Sequence, residues 1–128
     1  STPAGNLAKH YAGICYLKEG DLKNAADYLA KYSPVKGIPG AVVNAQNYGL
    51  QGDIAVDEGN YKEAVKFYEK AVKAADNNTT APLFLMKAGR AYKALGDKAK
   101  AKECFERIAT VYPNSFEARD TEKYINSL

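Results

Sequence analysis

The sequence predicts an all-α solenoid of three helix–turn–helix units closed by a C-terminal helix, and three observations predict it. Gly13, Gly52 and Gly89 recur 39 and then 37 residues apart, close to the roughly 34-residue period of stacked helix pairs. Each is followed seven residues later by a second glycine (Gly20, Gly59, Gly96), and five residues beyond that by an alanine (Ala25, Ala64, Ala101). Asp21, Asn60 and Asp97 come directly after the second glycines, where a side-chain oxygen can take the open amides of a new helix.

The elements follow in order from apolar spacing and from glycine and proline punctuation. A first helix is expected over about Gly5–Glu19, burying Leu7, Tyr11, Ile14 and Cys15 and stopping at Gly20. A second covers about Leu22–Tyr32 and is stopped by Pro34. The segment Ser33–Asn44 holds two prolines and two glycines. Its front half reads as loop, with Pro39 in the first turn of a third helix running from near Gly40 to Glu58. A fourth spans about Tyr61–Ala75. Asn77–Pro82 is turn chemistry with Thr80 as the helix cap. The fifth helix ends near Leu95, the sixth covers Lys98–Val111, and a closing helix covers Phe116–Leu128 with Phe116, Thr121, Tyr124, Ile125 and Leu128 on one stripe. The repeats are thus about 5–38, 40–76 and 81–114. The mid-helix glycines each cost about 1 kcal/mol relative to alanine, which points to close crossings against Ala25, Ala64 and Ala101.

At 128 residues, with 46% apolar and 26% charged residues, the chain is one domain or part of one, large enough for a core but not for two independent ones. The net charge of +3 is too mild to indicate a polyanion partner. Charge is uneven: residues 39–76 carry −2 and residues 77–114 carry +4. The aromatics are needed for the core and no nucleic-acid motif occurs, so no nucleic-acid partner is expected. Cys15 and Cys104 lack metal-ligand or CxxC spacing and read as small core residues. His10 is the sole histidine, and Asp53 and Asp57 sit one helical turn apart without a second ligand set. No phosphate loop or nucleophile elbow is present. The chain is therefore expected to have no catalytic residues, no metal site and no cofactor.

On these residues the chain resembles a tetratricopeptide repeat (TPR) protein, whose units form a right-handed superhelix. The third unit carries the pattern most fully, in Ala88, Gly89, Tyr92, Gly96, Asp97, Ala101, Phe105 and Pro113. The second has Ala55 where an aromatic is usual. The resemblance implies a scaffold that holds a peptide or helix of a partner protein in a concave groove. Carried over by position, the groove takes His10, Ile14 and Leu17 from the first unit and Asp53 and Asp57 from the second. The third unit supplies Leu83, Met86, Lys87, Arg90 and Lys93. Co-chaperone members grip an acidic C-terminus with Lys, Asn, Asn, Lys and Arg. Here those places read His10, Ile14, Leu50, Leu83 and Lys87, so that grip is not expected.

The stretch Ala4–Leu17 and the YPNS closing motif are similar to membrane-anchored TPR proteins of the bacterial envelope. That similarity implies a periplasmic or envelope setting near secretion machinery, with the cytoplasm as the alternative and no membrane contact by this segment itself. The apolar first helix also implies self-association there. The competing functional class is a structural segment of a longer solenoid without a groove ligand.

Overall fold

The structure, a computed structural model, describes residues 2–128. Among these residues seven α-helices follow one another: α1 (Pro3–Lys18), α2 (Leu22–Lys31), α3 (Ile38–Asp57), α4 (Tyr61–Ala74), α5 (Ala81–Leu95), α6 (Lys98–Val111) and α7 (Thr121–Asn126), the last preceded by a 3-10 turn, Glu117–Asp120. No strand occurs among the described residues. The helices pair as successive hairpins, α1 with α2, α3 with α4 and α5 with α6.

The three hairpin turns are built alike. Gly20, Gly59 and Gly96 have φ of 81°, 75° and 83°, the left-handed region that a Cβ disfavours. After each, the amide of Asp21, Asn60 or Asp97 donates back to Tyr16, Ala55 or Tyr92 across 2.7–2.9 Å, closing the old helix. The same residue's side chain then accepts from Asn24, Glu63 or Lys100 and opens the next one.

Within each hairpin the space at the mid-helix glycine is filled by the large side chain one turn beyond the alanine, and at Gly13 the Ala25 carbonyl also stands close, 3.2 Å from where a Cβ would be. A Cβ on Gly13 would lie 2.6 Å from Leu29 Cγ, one on Gly52 2.6 Å from Tyr68 Cε1, and one on Gly89 2.5 Å from Phe105 Cε1. Leu29, Tyr68 and Phe105 sit one helical turn beyond Ala25, Ala64 and Ala101, which are themselves fully buried. The alanines bring the helices together, and the glycines make room for what comes next along the stripe.

The core is not uniform. One apolar cluster runs from Ala45 through α4, α5 and α6 to Tyr112, with α7 packed on it. A separate small cluster, Ala25, Leu29 and Ile54, holds the first hairpin. Between them lies a polar seam. Asn6 exchanges two hydrogen bonds with the Ser33 backbone (2.7 and 2.8 Å). Asn44 accepts from Tyr32 Oη (2.7 Å) and pairs with both backbone groups of Val35. Asn47 Nδ2 donates to Leu29 O (3.2 Å) and to His10 Nδ1 (3.0 Å), while His10 Nε2 donates to Gln46 Oε1 (3.1 Å). Among the described residues no buried side-chain polar atom lacks a partner.

That seam corrects the expected face of α1. The helix buries Asn6, His10 and Gly13, while Leu7, Tyr11 and Cys15 are exposed and Ile14 is half-buried. Four hydrogen bonds, two between Asn6 and the Ser33 backbone and two linking His10 to Gln46 and Asn47, make the burial of this polar face favourable. The amino end of α1 also lies earlier than expected, at Pro3, because Thr2 caps it by accepting from Gly5 N at 3.0 Å. Helix α3 starts at Ile38, directly after Gly37 at φ 101°. The single closing helix resolves into a 3-10 turn and the short α7, and Phe116 is 71% exposed instead of lying on the buried stripe. Thr80 stands at the α5 cap without a capping bond; Asn77 Oδ1 instead accepts from the amides of Thr79 and Thr80.

Candidate partner-binding groove

Successive first helices α3 and α5 leave a hollow of about 370 Å³ between them. Val42, Gln46, Gly49, Leu50 and Asp53 line it from α3, and Thr80, Phe84 and Lys87 from the α5 side. Its floor depends on Gly49: the Phe84 ring occupies the space where a Cβ would stand. Past Asp53 and Lys87 the depression continues as a second hollow of about 310 Å³, with Val56, Tyr61, Arg90, Ala91 and Ala94. The walls are mostly apolar, and polar groups are concentrated where the two hollows meet.

At that junction Lys87 Nζ lies 3.0 and 3.1 Å from the two carboxylate oxygens of Asp53. Tyr68 Oη donates to Asp53 Oδ1 at 2.6 Å. Burial raises the Tyr68 phenol far above its usual range, reinforced by the bond to Asp53 and the negative charges of Asp53 and Asp57. Tyr68 therefore stays a donor and fixes the carboxylate in place. Arg90 donates to Tyr124 Oη (2.6 Å) with its guanidinium 5.1 Å from that ring's centroid, and Lys93 reaches Ser127 Oγ at 3.4 Å.

The sequence-derived residues divide into three groups. Asp53, Lys87 and Arg90 line the paired hollows, and Leu83, 40% exposed, stands on the first turn of α5 beside Phe84. Ile14 and Leu17 are half-buried, with Leu17 packed on the Ala25–Leu29 cluster, and Asp57 and Lys93 are exposed. Two assignments are corrected. His10 is 0% exposed, sealed by its bonds to Gln46 and Asn47, and Met86 is 7% exposed, absorbed into the main core beside Phe84 and Leu85. Neither can meet a partner directly. Residues that position alone did not select are Val42, 48% exposed, and Phe84. Gly49 was the signal for Phe84, since an interior helical glycine costs stability unless something fills its place.

Cys15 is exposed, contrary to the core role expected of it, and Cys104 is buried. Burial, with the nearby charge of Glu69, pushes the Cys104 thiol up to about 12. No helix among the described residues is long and apolar enough to cross a membrane.

Comparison with known proteins agrees with this geometry. Tetratricopeptide repeat family models match residues 45–78 and 84–115. A TPR repeat-containing protein of Methanocaldococcus jannaschii is 32% identical over 113 residues, covering 88% of this chain. The chain spans 18% of that relative's length. Among solved structures, the N-terminal domain of stress-induced protein-1 from C. elegans superposes with a TM-score of 0.77 at 19% identity, covering 97% of this chain and 98% of that one. The first TPR domain of human RPAP3 gives 0.67 at 22% identity over 98% and 96%. The first TPR of Spaghetti (RPAP3), solved with an HSP90 peptide, gives 0.70 at 21% identity over 95% and 90%. At these identities the structures show a shared fold. With the repeat models falling on the second and third hairpins, the turn glycines closing all three, and the archaeal relative spanning most of the chain, this protein belongs to the tetratricopeptide repeat family.

Proposed function

We propose that the chain is a protein-interaction scaffold that seats an extended or helical segment of a partner protein between α3 and α5. The observation that carries this is the apolar-walled hollow of about 370 Å³ with Val42, 48% exposed, in its lining; Leu83, 40% exposed, lies three residues after Thr80 and four before Lys87, on the side of α5 that those two lining residues mark. Exposed apolar side chains around a preformed depression are the usual makings of a binding site. The module is not an enzyme. That a neighbouring fold has been solved with an HSP90 peptide supports the class of ligand. The residues at the acid-gripping places here, His10, Ile14, Leu50, Leu83 and Lys87, speak against the same acidic C-terminus.

A photo-crosslinking residue placed at Val42 or Leu83 tests this in extracts of the source cells. A partner captured from both positions, and lost with Leu83→Asp, is the expected outcome. Capture only from outward positions such as Thr110 would remove the groove from consideration. The envelope or secretion setting is part of the same proposal and is checked by fractionating source cells; recovery with the cytoplasm would overturn it. The alternative, a solenoid segment that self-associates through α1, rests on the exposure of Leu7 and Tyr11. Sedimentation of the wild type against Tyr11→Asp decides it.

A further inference from the structure

Helix α3 carries a second concavity on its opposite face. At about 100° per residue, Asn44, Tyr48 and Gln51 point roughly away from Val42, Gln46 and Asp53. There, between α2 and α4, a hollow of about 270 Å³ adjoins another of about 350 Å³; both are lined by Pro34, Asn44, Tyr48 and Lys70. The gap falls at the seam where the apolar core is interrupted and where the inserted connection after α2 departs from the repeat period. Tyr48 and Phe67 are left half-buried at this gap.

Two features give the cleft a ligand preference. Its walls are fixed: Asn44 is held by Tyr32 and Val35, and Asn47 by His10, Leu29 and Gln51. Its charge has one sign. Lys70 Nζ stands 5.8 Å from the ring centroids of both Tyr48 and Phe67, and Lys73 lines the adjoining hollow. Neither lysine makes an ion pair among the described residues, and no carboxylate lines either hollow. The groove on the other face differs, because there Asp53 already engages Lys87.

We propose that this outer cleft is a second docking site, and that it takes an acidic segment of a partner protein in which a Phe or Leu is flanked by Asp or Glu. The apolar side chain covers Tyr48 and Phe67, and the flanking carboxylates meet Lys70 and Lys73. A carboxylate at Lys70 lies beside the rings, so the two contacts are made by neighbouring ligand residues. Basic or uncharged segments lack the second contact.

The test uses a fluorescein-labelled, C-amidated peptide, Asp-Glu-Asp-Phe-Leu-Asp-Glu, titrated into the whole chain by fluorescence anisotropy. Saturable binding is expected, weakening about tenfold or more as salt rises from roughly 50 to 500 mM. Lys70→Glu with Lys73→Glu, both on the exposed side of α4, should reduce it at least about tenfold while leaving the helical circular dichroism unchanged. A peptide with Ser in place of Phe-Leu should bind at least about tenfold more weakly. Leu83→Asp, on the inner groove, should have no effect, so failure here is separable from failure of the inner site. Equal binding of the Ser peptide would reduce the cleft to a generic polyanion surface. No binding, or binding lost only with Leu83→Asp, would overturn it. Backbone amide shifts confined to Tyr48, Gln51, Phe67 and Lys70 on titration would locate the peptide independently.

Discussion

The Lys87 ammonium reaches from α5 to both carboxylate oxygens of Asp53 on α3, and the buried Tyr68 hydroxyl donates to the same carboxylate. The pair itself is about one-third exposed on each side, so solvent screens it and its own contribution is about 0–1 kcal/mol. Lys87→Ala should therefore barely move the urea midpoint. Asp53→Ala also strips the acceptor from Tyr68 and should cost about 1–3 kcal/mol. Equal losses for the two variants would mean that Asp53 is held by the lysine alone.

The two glycine classes should fail differently. Gly52→Ala forces a Cβ to within 2.6 Å of the Tyr68 ring, an overpacking cost of about 1–3 kcal/mol. Gly59→Ala meets no neighbouring atom but must hold φ 75°, about 1–2 kcal/mol of backbone strain. Tyr68→Leu should relieve part of the first loss and none of the second. Double-mutant cycles by thermal unfolding measure this.

The seam predicts regional stability. Asn47→Leu leaves His10 Nδ1 and Leu29 O without their donor and should cost about 1–3 kcal/mol. Amide hydrogen exchange should accelerate first in α1 and α2, whose apolar packing is confined to a small cluster shared with Leu50 and Ile54 of α3, while α5 and α6 remain protected. Uniform acceleration over all seven helices would show that the hairpins do not open separately.

Alkaline conditions probe the buried acids. The Cys104 thiol is raised from 9.0 to about 12 by burial, and the Tyr112 phenol from 10.0 to about 12 by burial and its bond to Asp76. The folded state thus keeps protons that the unfolded chain releases. The associated stability is full below about pH 9 and is lost as pH rises toward about 12. Cys104→Ala should flatten that decline above pH 9. In the native protein a maleimide should label only the exposed Cys15, and Cys104 should react on unfolding.

Much of this protein is local in origin. A left-handed glycine followed by Asp or Asn closes one helix and opens another with atoms no more than a few residues away, so the turns at Gly20, Gly59 and Gly96 are legible in the sequence. The glycine–alanine spacing likewise gives three hairpins, because each Gly and its Ala belong to the same pair of helices. Tertiary structure alone decided which face of α1 turns inward. Asn6, His10 and Asn47 look like surface residues until Ser33, Gln46 and Leu29 are brought opposite them, and only then does burying polar groups become favourable. The same holds for the inner groove. Helical position places Met86 and Leu83 alike on α5, but packing into the main apolar cluster covers the first and leaves the second 40% exposed, since burial is set by neighbours that one helix does not specify.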